Sequence, residues 1–317
     1  MNARAEAVAR LGGRYDARVL EPSPPAVSEP PWFADDPVGR GDPPSEMPRV
    51  SPVTGADLRW EDLLGEDPAL GDWCHERWLA AYPPLRPVPA GLIATRLALH
   101  RLAERVISPS RAHANGKIGL RFTRGGFGTP FFADDVQLRV VGDELIVQAG
   151  EHERSARITT LAEMALHVGA ELLPGEVSES EPLDVDPEAS AFLGDWFGFA
   201  ASVLEELRAG VTDEIEPSRV QLWPEHFDLA VELGAEPLEA RAGYGASPGD
   251  ELHREPYLYV TPWSEVSPGE LWQAEAFRGA ELPYAALADA SRAGGEAQRE
   301  TALQFFTERL AALGGEV

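Results

Sequence analysis

The sequence is poor in cysteine and in long hydrophobic runs, and each shortage excludes a class of protein. Its 317 residues include one cysteine, Cys74, which excludes an intrachain disulfide and a cysteine-based zinc site. No run reaches the roughly 18 apolar residues that cross a bilayer. Residues 1–18 lack the continuous apolar stretch of a signal peptide. We therefore expect a cytoplasmic protein without membrane contact.

Positive charge is also scarce. The chain has 27 Lys+Arg against 53 Asp+Glu, a formal net charge of −26, and Lys117 is its single lysine. Nucleic acids and anionic membrane surfaces are bound through excess positive charge, so the composition argues against both as partners. The hydrophobic fraction of 44% is ordinary for a globular protein and is sufficient for a packed core.

Proline defines the first region of the chain. Ten prolines lie between Pro22 and Pro52, and a second proline cluster lies between Pro83 and Pro89. Proline cannot continue a helix or serve in a central strand. Residues 1–89 are therefore predicted to form a proline-rich arm that contains short helices.

Two units with the same order of patterns follow the arm. Residues 90–180 show helical spacing, then period-two alternation, then a helix whose Thr160 and Glu163 have the spacing of a capping box. Residues 181–317 begin a helix at Asp186, alternate again, and close with a helix before Gly314. We predict an α+β fold of two helix–antiparallel-sheet–helix units, an order that duplication of one unit would produce.

Three segments of the second unit resemble a bacterial, actinobacterial-type family of unknown function. The segments are LWPEHFDLA (222–230), EPYLYV (255–260) and ELPYAAL (281–287), and the first unit is similar around GKIGL (116–120). The resemblance covers residues 91 to 313 and leaves the arm outside. It implies the same architecture, and since that family has no assigned activity, it implies no mechanism.

Two glycine-rich segments are predicted to be loops. Arg124–Pro130 lacks the spacing of a phosphate-binding loop and runs into a strand pattern, which excludes a nucleotide site of that type. Gly243–Asp250 lies between two predicted strands and is expected to be a loop that could cover a site.

A basic segment is the first candidate site. Residues 90–130 contain seven positively charged residues against Glu104 alone. Lys117 and Arg121 are predicted to share one face of a strand that Arg124 ends, and such a group could hold a carboxylate or phosphate. The alternative is that the segment pairs with the acidic stretch Glu171–Glu188, which has no positive residue.

The second candidate site lies between residues 223 and 263. Alternation places His226 and Asp228 on the polar face of one strand and Tyr257 and Tyr259 on the outer face of another, with His253 between them. The group could line a pocket, form a His–Asp general base, or hold a metal through two histidines and a carboxylate. No metal or other cofactor is expected, because the histidine spacing of a metal motif is absent.

These observations leave three hypotheses for the function. The leading one is a binding protein that holds a small ligand, with an anion as one option, between its two units. The second is an enzyme that uses His226, Asp228 and His253. The third is an interaction protein whose acidic surface and proline-rich arm contact a protein partner.

Overall fold

The computed structural model describes residues 84–123, 125–130, 132, 136–149, 152–170, 172, 178–290 and 295–314, and it has an α+β fold. Almost all of the predicted arm therefore lies outside the described residues. The helices are α1 (Leu92–Leu102), α2 (Ser108–Asn115), α3 (Leu161–Val168), α4 (Pro187–Ala209), α5 (Tyr284–Ala290) and α6 (Gly295–Ala312). A π-helical turn (Ala103–Ile107) joins α1 to α2.

The strands form two five-stranded antiparallel sheets. The first sheet contains β1 (Arg121–Thr123), β2 (Gly126–Gly128), β3 (Val136–Val141), β4 (Glu144–Ala149) and β5 (His152–Arg157). The second contains β6 (Gln221–Trp223), β7 (Asp228–Leu233), β8 (Ala242–Ser247), β9 (Tyr257–Pro262) and β10 (Ala280–Pro283). Each strand pairs with its neighbours in sequence, which confirms the predicted order of helix, antiparallel strands and helix in both units.

The two sheets meet edge to edge at one antiparallel bridge. The N–H of Leu120 donates to the carbonyl of Leu222 over 2.8 Å, and the N–H of Leu222 donates to the carbonyl of Leu120 over 2.9 Å. Leu120 and Leu222 are both fully buried. Because of this bridge, the inner faces of the two sheets are continuous with each other and cover the same core.

Helix α4 lies against this shared inner face. Asp186 caps it as predicted, because its side chain accepts the N–H of Ala189 over 2.8 Å. The helix packs against β1, β2 and β3 of the first sheet and β7 and β8 of the second. Gly194 makes the close approach to the first sheet: a Cβ there would lie 2.6 Å from the carbonyl carbon of Gly125.

A tight turn before β7 overrides the predicted strand. The N–H of Phe227 donates to the carbonyl of Trp223 over 2.7 Å, and Phe227 has a φ of 56°, a strained conformation for a side chain of this size. Its ring is buried 5.0 Å from that of Phe127 and 5.3 Å from that of Phe197. Burial of the ring offsets the backbone strain, so β7 starts at Asp228 and not at His226.

Both glycine-rich segments contain strands where loops were expected. Gly126–Gly128 forms β2, and residues 242–247 form β8 at the centre of the second sheet. Small residues hide the alternation in these strands, because Gly, Ala and Ser carry little hydrophobic signal. The segment that was predicted to be a loop over the second site is therefore a strand up to Ser247, and only the residues after Ser247 form a loop.

No helix in the described part of the chain combines the length and the apolar character that crossing a membrane requires.

We expect a half-buried histidine to make the fold sensitive to acid. His167 contacts the carbonyl of Leu145 through Nε2 over 3.1 Å, and burial, with Arg154 nearby, lowers its pKa to about 4 from 6.5. The unfolded chain then binds more protons than the folded one between these values, so stability falls as pH drops from about 6.5 towards 4. His167→Gln, which keeps a neutral donor, should flatten the stability–pH slope measured by urea denaturation between pH 5 and 7.

His113→Gln is the matched control, since His113 is exposed on α2. An unchanged slope in His167→Gln, or an equal change in His113→Gln, would contradict the assignment.

Candidate functional site

The outer face of the second sheet carries a polar and aromatic cluster. Tyr259 on β9 pairs with Gly245 on one side and with Glu281 on the other. A Cβ on Gly245 would lie 2.2 Å from Cζ of Tyr259, so glycine lets the ring lie flat across β8. The Tyr259 hydroxyl thereby reaches β7 and donates to Oδ2 of Asp228.

Asp228 is a buried carboxyl. Asp228 is 6% exposed, and among the described residues its Oδ1 has no hydrogen-bond partner. Burial raises the pKa of Asp228, while the hydrogen bond from Tyr259 acts in the opposite direction. Burial and the neighbouring Asp228 carboxyl raise the pKa of Tyr259 well above its ordinary value.

The loop after β8 is ordered around Asp250. Its Oδ1 accepts the N–H of Leu252 over 2.7 Å and the N–H of His253 over 2.8 Å, which closes a tight turn. Its Oδ2 accepts the Tyr257 hydroxyl over 2.7 Å. Burial opposes ionisation of Asp250, but these hydrogen bonds outweigh it and lower the pKa of the carboxyl.

His253 bridges this loop to the edge strand β10. Its Nδ1 lies 3.0 Å from Oδ1 of Asp250, and its Nε2 lies 3.1 Å from Oε2 of Glu281. The imidazole also packs on Tyr257, with 4.2 Å between the ring centroids. A neutral imidazole has one N–H, so both contacts are hydrogen bonds only when the ring carries two protons.

Arg96 of α1 fixes the loop from the first unit. Its guanidinium donates to the carbonyl of Asp250 over 2.9 Å and to those of Pro248 and His253 over 3.4 Å each. Gly249 has a φ of 100°, and a Cβ there would lie 2.2 Å from Arg96 Nη1. The loop conformation is thus set by a glycine and by an arginine about 150 residues away in sequence.

A surface pocket of about 310 Å³ opens beside this loop. The size is at the low end for small-molecule sites. We call it the His253 pocket, and its walls are His253, Arg254, Glu255, Pro256, Tyr257, Glu281, Pro283 and Tyr284. All of these residues belong to the second unit, so the pocket does not lie between the two units as the sequence suggested.

The structure separates the three predicted catalytic residues. His226 is exposed in the turn before β7, and Asp228 is buried on the strand, so the two do not share one strand face. His253 contacts Asp250 and Glu281 and does not contact Asp228. The expectation of a joint His226–Asp228 face is wrong because the turn that buries Phe227 removes His226 from the strand.

Tyr257 and Tyr259 lie on the outer face of β9, as predicted. Their ring centroids are 6.1 Å apart, and Phe277 packs against both rings. Tyr257 lines the His253 pocket, whereas Tyr259 turns away towards Asp228. Of the two predicted tyrosines, Tyr257 therefore lines the pocket and Tyr259 binds the buried carboxyl of Asp228.

The residues of the predicted anion site do not share a strand face. Lys117 is exposed ahead of β1, and Arg121 is 1% exposed, with Nε donating to the carbonyl of Phe122 over 3.0 Å. Arg124 lies outside the described residues. Three strands separate β1 from β9, so Arg121 is roughly 19 Å from Tyr259 and cannot share a small ligand with it.

Other arginines of the basic segment bind within the protein. Arg96 holds the loop after β8, and Arg111 donates to the carbonyl of Gly119. Arg105 lies 3.9 Å from Glu179, a member of the acidic stretch. This contact is of the kind that the alternative of internal pairing predicted.

Two residues that shape the pocket, Arg96 and Glu281, could not be identified from the sequence. In the sequence, Arg96 is one of the seven positive charges of the basic segment, and Glu281 stands out only as part of a segment that resembles the bacterial family. Their partners are distant in sequence, so spacing could not identify them. For Glu281, the one available signal was the strand pattern, which would have paired β10 with β9. Over the described residues, no group of His, Cys, Asp and Glu side chains is arranged to hold a metal ion.

Comparison of the chain with protein-family models, with curated proteins and with solved structures found no match. The resemblance to the bacterial family stays a prediction.

We predict that Gly245 is required for the Tyr259–Asp228 contact. Gly245→Ala should lower the free energy of unfolding by about 1–3 kcal/mol, because the new methyl overlaps the Tyr259 ring. In a Tyr259→Ala background the same change should cost much less, and a double-mutant cycle by chemical denaturation measures the difference. Gly269→Ala is the control, since a Cβ there meets nothing within 4 Å. Equal costs in both backgrounds would contradict the contact.

Proposed function

We propose that this chain is a binding protein that holds a small organic ligand in the His253 pocket. The observation that carries the proposal is the convergence of polar side chains from one loop and two strands around an aromatic wall. His253, Tyr257 and Glu281 come from the loop, β9 and β10 respectively. A few oriented polar groups beside an aromatic surface are typical of ligand sites.

The pocket walls are held in place before any ligand arrives. Tyr257 is fixed by its hydrogen bond to Asp250, and the backbone of the loop is fixed by Arg96. Tyr284, on the far wall, donates its hydroxyl to the carbonyl of Arg86 over 2.7 Å. Because the walls are preorganised, a ligand would pay little ordering entropy on binding.

Catalysis is the second candidate, and one contact favours it. The Asp250–His253 pair has the geometry of an oriented imidazole base. Its outer nitrogen, however, contacts Glu281 and not an open reaction centre. We therefore rank binding ahead of an enzyme, and we retain the cytoplasmic location and the protein partner as proposals from the sequence alone.

Binding can be tested with three probes that share a phenyl group and a short chain: 2-phenylethylammonium, 2-phenylethanol and 3-phenylpropanoate. The expected result is a dissociation constant of about 1 mM or tighter for at least one probe, measured by amide chemical shifts of the full chain. The shifts should map to His253, Tyr257 and Tyr284, while amides of the first sheet stay unchanged.

Pro283→Phe, which places a ring at the pocket wall, should abolish these shifts. Pro268→Phe is the matched control, since Pro268 is exposed and does not line the pocket. The proposal is wrong if none of the three probes binds, or if Pro283→Phe and Pro268→Phe bind alike.

A further inference from the structure

The charges on the pocket walls favour one class of ligand. Among the lining residues, the carboxylates of Glu255 and Glu281 stand against one guanidinium, that of Arg254, and Asp250 contacts Nδ1 of His253. The whole chain carries a formal net charge of −26. A negative protein and a negative pocket wall together attract cations and repel anions.

Glu281 supplies an unused acceptor at the pocket. Its Oε2 contacts Nε2 of His253 over 3.1 Å, and within the described part of the chain its Oε1 has no hydrogen-bond partner. Its side chain is 21% exposed, so a small ligand can reach it. By contrast, Asp250 is saturated by two backbone N–H groups, the Tyr257 hydroxyl and Nδ1 of His253.

His253 makes the acceptor conditional on protonation. When the imidazole carries both protons, its Nε2–H donates to Glu281 and its positive charge neutralises that carboxylate. When it carries one, the proton is best placed on Nδ1, where Asp250 accepts it. Nε2 then presents a lone pair beside Glu281, and two acceptors stand 3.1 Å apart without a donor between them.

We propose that the ligand of the His253 pocket is an organic ammonium ion, whose N–H groups donate to Glu281 and to Nε2 of His253 in place of the imidazole proton. This inference rests on the proposed binding function. An ammonium has three N–H donors and so can serve both acceptors at once, while its hydrocarbon chain packs on the ring of Tyr257.

The ligand and a proton therefore compete for one position. The other charged or titratable groups around the imidazole are Asp250, Arg254 and Glu255 of its own loop, Tyr257 of β9, Glu281 of β10 and Arg96 of α1, which donates to the carbonyls of His253 and Asp250. Hydrogen bonds keep Asp250 ionised above its lowered pKa, and burial raises the pKa of Tyr257, so neither changes charge between pH 5.5 and 8.

The same three phenyl probes test the class of ligand. We expect 2-phenylethylammonium to bind at least about threefold more tightly than either of the other two probes at pH 8. Glu281→Gln should weaken it by about tenfold at pH 8, which is the size of a charge-assisted hydrogen bond. Glu275→Gln is the control, because Glu275 is exposed and outside the pocket.

Equal or tighter binding of 2-phenylethanol or 3-phenylpropanoate at the pocket would overturn the ammonium assignment and leave the binding function standing. Failure of all three probes would overturn the binding function itself.

Discussion

The burial of helix α4 is the constraint on which the rest of the structure depends. Most helices bury one stripe, but α4 packs against the shared inner face of the two sheets and also against α1 and α6, so residues around most of its circumference are buried. Phe197 on this helix contacts Phe127 of the first sheet and Phe227 of the second. Since Phe227 reaches that contact through a strained turn, the packing of α4 also determines where β7 begins and which face Asp228 occupies.

Local pattern was sufficient to predict the order of the elements. Gly142–Asp143 lies between two runs of alternating residues, which is the pattern of a hairpin turn, and β3 and β4 pair from Val141 to Glu144 outward. Side-chain chemistry identified the caps at Thr160 and Asp186, whose oxygens accept the N–H groups of Glu163 and Ala189. These features depend on residues within a few positions of one another, which is the range over which a single sequence is informative.

The site was predictable only in part, because its contacts are long-range. Tyr257 and Tyr259 were placed on the outer face by alternation alone. Their hydrogen-bond partners could not be predicted, because the Tyr259 hydroxyl reaches Asp228 across β8. The small residues of β8 hid that strand in the sequence. Arg96 donates to a carbonyl of the loop after β8, about 150 positions away in sequence, and local sequence patterns do not extend over that separation.

The internal use of arginine decides the electrostatic character of the pocket. A segment with seven positive residues could have given the protein an anion site, yet the guanidinium groups of Arg96 and Arg111 donate to backbone carbonyls inside the fold. The N–H groups of Arg96 that donate to the carbonyls of the pocket loop are not available to a ligand. Glu281 lies on the edge strand β10 and Glu255 lies on the loop before β9, so both carboxylates line the pocket. The positive charge of this segment therefore stabilises the fold, and in the proposed function the negative charge is left to recognise the ligand.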